Sequence, residues 1–294
     1  MSATPATPIV RSFHHADSGT WSHVVVDPAT RRAAVIDAVL DFDVASGRIR
    51  TDAVQRILEY AATADVRIDW VLETHAHADH ISAGAWLCER TGAKLGIGAG
   101  IVEVQKTFKR LLDLGEDFPT DGSPFDRLFA DGETFDIGEL TVRVIATPGH
   151  TGDSVSYLAG DAVFIGDTLF APHAGTARCD FPGGDAATLH RSIMRLYDLP
   201  EDTRVFLCHD YPAQDVAPIG EVALAAEKLG NTHVRPVTDE ATFIALRTER
   251  DAKLAIPRLL WPAIQMNLRG GRLPPAAEGQ PSYIKLPVTF APPA

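Results

Sequence analysis

Thr74-His75-Ala76-His77-Ala78-Asp79-His80 puts three imidazoles and a carboxylate into one short stretch. Burying that group without a cation is costly, because rings and carboxylate lose water and gain nothing in return. Imidazole and carboxylate are the ligands that suit zinc, iron or manganese. His75 and His77, at i and i+2 in extended chain, point the same way, and Asp79 and His80 follow closely enough to face a neighbouring position. Upstream, Ile68–Leu72 reads as a buried strand; downstream, Ile81–Arg90 reads as a helix stopped by Gly92. The cluster therefore sits on a strand-to-helix turn held from both sides.

Three more metal-binding side chains follow predicted strands. The hairpin Phe135–Ile145 leads into Ala146-Thr147-Pro148-Gly149-His150-Thr151, the hairpin of Val155–Ala159 and Ala162–Ile165 into Gly166-Asp167, and the strand Arg204–Leu207 into Cys208-His209-Asp210-Tyr211. A further hairpin is expected around Asp27-Pro28, between Val24–Val26 and Ala33–Asp37. Helices are expected over Thr51–Ala64, Asp185–Tyr197 and Asp239–Ala255, the last capped by Thr238, with an irregular C-terminal stretch. Hairpins followed by helices, a theme repeated in the second half, predict two mixed sheets facing each other with helices outside and polar ligands gathered on one rim. Gly96-Ile97-Gly98-Ala99-Gly100 lacks the G-x-G-x-x-G spacing and, with no strand–helix–strand unit expected around it, is not read as a nucleotide loop.

The 294 residues are 45% hydrophobic and 22% charged, a globular composition, and no apolar run approaches the ~18 residues of a bilayer span. The 27 basic against 39 acidic residues give a net charge of -12, which disfavours nucleic acid and anionic membranes as partners. Residues 1–10 read as a loose Ala/Thr/Pro tail without a secretory pattern, so a cytoplasmic location is expected, with one domain over 11–294. Cys88, Cys179 and Cys208 have no zinc-finger or thioredoxin spacing, and Cys179 and Cys208 read as small buried residues. His14, His15, His23, His173, His190 and His233 read as surface or hydrogen-bonded core residues.

The stretch Thr74–His80 resembles the THxHxDH signature of the metallo-β-lactamase superfamily, and Thr147–Thr151, Gly166-Asp167 and His209 resemble its later motifs in order. The resemblance implies an αββα sandwich of two mixed β-sheets flanked by helices, with the metal at one rim. Within the superfamily, Gly175-Thr176-Ala177-Arg178-Cys179-Asp180-Phe181, His209-Asp210-Tyr211 and Pro262–Gly270 resemble bacterial persulfide dioxygenases, with Thr176 where a Cys is common in eukaryotic forms. That branch implies one Fe(II) held by His75, His150 and Asp167, with His77, Asp79, His80 and His209 supporting those ligands or forming a second metal site. It also implies oxidation of glutathione persulfide by O2 and water to sulfite and glutathione. Arg178 and Arg269 are then expected to bind substrate carboxylates, Tyr211 to act on the bound substrate, and the C-terminal segment to cover it. A homodimer or other homo-oligomer is expected.

The alternative is a thioester hydrolase resembling glyoxalase II, with two metal ions (zinc among them). His75, His77 and His150 would hold one, Asp79, His80 and His209 the other, and Asp167 would bridge. A lactonase-like or β-lactamase-like hydrolase acting on an uncharged substrate would not need Arg178. A non-catalytic metal sensor would have to keep a full ligand set without turnover.

Overall fold

The computed structural model describes residues 7–290. Its first half runs β1 (Ile9–His15), β2 (Thr20–Val26), β3 (Arg32–Ile36), β4 (Val39–Asp43), β5 (Arg48–Arg50), α1 (Asp52–Thr63), β6 (Arg67–Leu72), β7 (Ile81–Ser82), α2 (Gly84–Thr91), β8 (Lys94–Gly98), α3 (Ile101–Leu111) and β9 (Arg127–Phe129). The second half runs β10 (Thr134–Ile137), β11 (Leu140–Ala146), β12 (Val155–Ala159), β13 (Ala162–Phe164), α4 (Ala186–Tyr197), β14 (Arg204–Phe206), β15 (Glu221–Ala223), α5 (Leu224–Gly230), α6 (Glu240–Asp251) and α7 (Leu260–Asn267).

Two six-stranded mixed sheets result, ordered β1-β2-β3-β6-β8-β9 and β10-β11-β12-β13-β14-β15, with a small sheet β5-β4-β7 beside them. Strand alternation sets the layers, since successive side chains face opposite ways. Val24 and Val26 join Val54, Ile57, Leu87, Phe108 and Ile264 in a core between the first sheet and its helices. Val25 turns to the other face, where Ile36 and Leu72 meet Val144, Tyr157, Phe164 and Phe206 of the second sheet. Val163 and Val205 turn outward again, onto Leu189 and Ile193 of α4 and Phe243 of α6. Helix, sheet, sheet, helix is the αββα sandwich expected from the sequence.

Several boundaries differ from expectation. Ile9 and Val10 pair with Val26 and Val25, so the expected tail over 1–10 gives way to strand before it ends; residues 1–6 lie outside the described residues. The helix expected from Ile81 starts at Gly84, because Ile81 and Ser82 pair with Leu40 and Val39. Gly92 ends it at φ 72, as expected of a C-terminal glycine. Helix α6 is capped by Asp239, whose side chain accepts from the Thr242 amide at 2.9 Å; Thr238 instead accepts from the Arg235 amide. Helices α3, α5 and α7 were not expected.

With α3 between the parallel strands β8 and β9, the glycine-rich stretch does lie in a strand–helix–strand unit. Its glycines serve packing. A Cβ on Gly98 would stand 2.4 Å from the Asp153 carbonyl oxygen, and one on Gly100 2.5 Å from that of Gly152. No helix among the described residues is long and apolar enough to cross a membrane.

Candidate metal centre

Each ligand-bearing turn leaves the C-terminal end of a strand. His75 to His80 follow β6, His150 follows β11, Asp167 follows β13 and His209 follows β14, so both sheets contribute to one rim. Ligand atoms of His75, His150 and Asp167 lie within 4.8 Å of one another, as do those of His77, Asp79 and His80. Asp167 stands between the two halves: its Oδ2 is 3.8 Å from His150 Nε2 and its Oδ1 is 3.6 Å from His209 Nε2. His209 Nε2 is also 3.2 Å from Asp79 Oδ2. All the sequence-predicted metal-binding residues are therefore brought together.

One nitrogen of each imidazole is tied to the protein, which fixes ring orientation and leaves the other nitrogen for a ligand bond. His75 Nδ1 meets Thr74 Oγ1 at 3.0 Å, His77 Nε2 meets Asp37 Oδ1 at 2.9 Å and His80 Nδ1 meets Thr20 Oγ1 at 3.2 Å. His150 Nδ1 meets the Arg178 carbonyl at 2.7 Å and His209 Nδ1 the Gly19 carbonyl at 3.2 Å. The nitrogens left over at His75 (Nε2), His77 (Nδ1), His80 (Nε2) and His209 (Nε2), with Asp167 Oδ1, are buried and have no hydrogen-bond partner. Orphaned buried polar atoms are rare and need a reason. Here a cation supplies one, and the donor set of neutral imidazoles and carboxylates fits zinc or iron.

The local electrostatics agree. Burial, then His77, hold the His75 imidazole well below its usual pKa, and burial, then His80, do the same for His77, so both are neutral and ready to ligate. Burial alone would raise Asp79, but His209 and His80 override it and keep it well below the usual carboxylate range. Burial alone would lower His209, but Asp167 and Asp79 lift it to about 9.

The turn carrying the histidines is braced by buried side chains to which the sequence reading gave no role. Asp37 accepts from the Thr74 amide and hydroxyl, each at 2.8 Å, as well as from His77. Asp153 accepts from the Ala76 amide at 2.8 Å. Asn267 donates to the carbonyls of His77 and His80. The one available signal was a carboxylate at the end of a strand adjoining the ligand strand, which Asp37 satisfies.

A cavity of about 570 Å³ opens onto Asp79, His150 and Asp167 and extends past Phe170, Phe181 and Tyr211 to Arg247, Arg250, Leu254 and Pro257. Its cover comes from α6 and the residues just after it. The segment after Leu260, expected to cover the substrate, lines none of it. Tyr211 stacks on the His209 ring at 5.3 Å between centroids and also meets Phe170. Arg178 lines the cavity, but its fork is engaged: Nε and Nη2 donate to the two oxygens of Asp180 and Nη1 to the Ala255 carbonyl, each at 2.6 Å. Arg269, expected at the substrate, lies elsewhere. Its guanidinium covers the Phe118 ring at 4.4 Å and donates to the Gln265 carbonyl. Arg247 is buried and paired with Asp251. Arg250 has no carboxylate partner among the described residues and is the cavity arginine whose charge is uncompensated. Its position one turn after Arg247 on an amphipathic helix was readable; the pairing that spends the other two was not. Cys179 and Cys208 are buried, as expected, and burial pushes the Cys179 thiol up to about 12.

The fold and the rim of histidines and carboxylates define a metal-binding enzyme class, and the profile of the metallo-beta-lactamase superfamily matches residues 16–209. The chain belongs to that superfamily. It is 44% identical over 283 residues to glyoxylase B2 of Dictyostelium discoideum, covering 96% of this chain and 97% of that protein. It is 46% identical over 286 residues to a beta-lactamase hydrolase-like protein of Agrobacterium fabrum, covering 96% of this chain but 65% of that longer protein. A hydroxyacylglutathione hydrolase of Acidiphilium cryptum is 37% identical over 155 residues, covering 52% of this chain and 55% of that protein. Among solved structures, ETHE1 from Myxococcus xanthus superposes with a TM-score of 0.71 at 32% identity, covering 90% of this chain and all 100% of that one.

Proposed function

We propose that this protein is a persulfide dioxygenase that converts glutathione persulfide, O2 and water to glutathione and sulfite at one iron held by His75, His150 and Asp167. The reaction balances: the outer sulfur gives up four electrons, which dioxygen takes. The observation carrying this reading is that two imidazoles and one carboxylate converge within 4.8 Å on one side of the rim, the ligand set of non-haem iron oxygenases, which leaves positions open for two reactants. The match to ETHE1 along that whole chain supports the same branch. Bound iron(II) would supply the redox chemistry. The protein's own residues do the positioning. The Arg178 carbonyl aims His150, and Phe170 and Phe181 line the approach with apolar surface. Arg250 takes a substrate carboxylate at the far end, in the role first assigned to Arg178 and Arg269, and Tyr211 stands over His209 beside the open positions.

A second reading, a thioester hydrolase with two metals, is favoured by one specific observation. His80 Nε2 and His209 Nε2, which that reading gives to the second ion with Asp79, are also buried and unpartnered, as is His77 Nδ1 on the side of the first. The likeness to hydroxyacylglutathione hydrolases points the same way. Protein loaded anaerobically with iron and given glutathione persulfide separates the two. One iron per chain with oxygen uptake and sulfite release is expected. Two metals per chain, no oxygen uptake and turnover of S-lactoylglutathione would replace the first reading by the second.

A further inference from the structure

The turn from His75 to His80 forms no helix, and its only strand pairing begins at Ile81, so its carbonyls need partners from elsewhere. Two of them find the same side chain. Asn267, the last residue of α7, is 4% exposed, and its amide nitrogen donates to His77 O and His80 O at 2.8 Å each. Its amide oxygen accepts from the Ser82 N–H, also at 2.8 Å. Both donor hydrogens and the acceptor are thus spent on one turn, about 190 residues away in sequence. That is the whole hydrogen-bonding capacity of the amide apart from a second lone pair.

The end of α7 that carries Asn267 is itself fixed. Gln105 of α3, fully buried, donates to the Leu268 carbonyl at 2.9 Å, and the Ala85 amide donates to the Gly270 carbonyl at 2.9 Å. Two residues upstream, Gln265 holds the C-terminal arm, donating to the Lys285 carbonyl and accepting from its amide. The helix thus joins the arm on one side to the metal-binding turn on the other. The resemblance in Pro262–Gly270 is carried by an Asn-x-Arg pattern, Asn267-Leu268-Arg269, of which only Arg269 was given a role. The geometry moves the importance to Asn267.

We propose that Asn267 is a positioning residue for the metal centre. By clamping the carbonyls of His77 and His80 it fixes the spacing between the two halves of the ligand turn, and so couples metal binding to the docking of α7. The inference needs only that the rim binds a metal, which both functional readings share, so it stands or falls independently of the choice between them. Asn267→Asp tests it with nearly the same shape, because the carboxylate oxygen that replaces the amide nitrogen confronts two carbonyls without a hydrogen to offer.

The readout is zinc affinity of the full chain, by competition with a chelator, beside chemical unfolding of the metal-free protein. Groups that orient ligands are typically worth 10- to 100-fold in metal affinity, and N267D is expected to lose roughly that much. Ile57→Ala, which opens a cavity beneath α1 and touches neither α7 nor the turn, should lose stability but keep its zinc affinity. Equal affinity losses in the two variants, or none in N267D, would overturn the proposal. If N267D does not fold, the wild-type protein still decides the matter, because linkage is reciprocal. Zinc must then slow hydrogen exchange at the Ser82 amide and in α7 more than in α1. Equal protection of both helices would refute the coupling.

Discussion

Replacing Arg250 by leucine removes the cavity cation that no protein carboxylate neutralises. At 4 Å and an effective dielectric near 20, a full charge pair is worth about 4 kcal/mol. Arg250 is exposed on one side, however, and measured exposed pairs contribute only about 0.2–1 kcal/mol after screening and side-chain ordering. The smaller figure governs, so Arg250→Leu should raise KM for glutathione persulfide by up to about fivefold and leave kcat nearly unchanged. Added salt should weaken wild-type binding and have little further effect on the variant. Oxygen-electrode kinetics at two ionic strengths measure both effects. Arg178→Leu behaves differently, since it strands Asp180 and releases the Ala255 carbonyl: it should lower stability and kcat together. An Arg250→Leu enzyme with unchanged KM and unchanged salt response would refute the substrate role and leave the far end of the cavity without a function for its charge.

Asp37→Ala leaves the Thr74 amide, the Thr74 hydroxyl and His77 Nε2 without an acceptor in a dry site. Destabilisation of about 3 kcal/mol or more is expected in denaturant titrations, with Asp37→Asn much milder. Burial raises the Glu227 carboxyl from 4.5 to about 7, so the folded state holds its proton more tightly than the unfolded chain. Stability is therefore greatest below pH 4.5 as far as this group is concerned and falls as pH climbs to 7, by up to about 3 kcal/mol; Glu227→Gln should flatten that part of a Tm–pH profile. Gly98→Ala would press a methyl group against the Asp153 carbonyl oxygen, 2.4 Å away, and should cost about 1–3 kcal/mol on thermal or chemical unfolding.

What the sequence revealed follows from how each feature is encoded. Ligands must be particular side chains, so His75, His77, Asp79, His80, His150, Asp167 and His209 could all be read before any fold was seen. The αββα layering was legible for a similar reason: alternation along β2 and β14 sends neighbouring residues to different cores, and hairpin punctuation marks the strands. Helix α7 left no trace because six of its eight residues, Leu260, Ala263, Ile264, Gln265, Met266 and Asn267, are buried and run nearly all round it, which leaves no amphipathic pattern. Helix α3 does carry an apolar stripe at Ile101, Val104 and Phe108, but it begins straight after a glycine-rich strand. The surroundings of the two expected arginines were not legible for another reason. A guanidinium's partner is a property of the fold: Asp180 holds Arg178 at the cavity wall, and Phe118 holds Arg269 away from it.

The split origin of the rim has a consequence for biogenesis. His75 and His209 are 134 positions apart in the chain and come from opposite sheets, so a nascent polypeptide can present only fragments of the coordination sphere. The full set of ligand atoms therefore comes together only when the sandwich has closed, and the cavity beside Phe170 and Phe181 is the opening that leads to it.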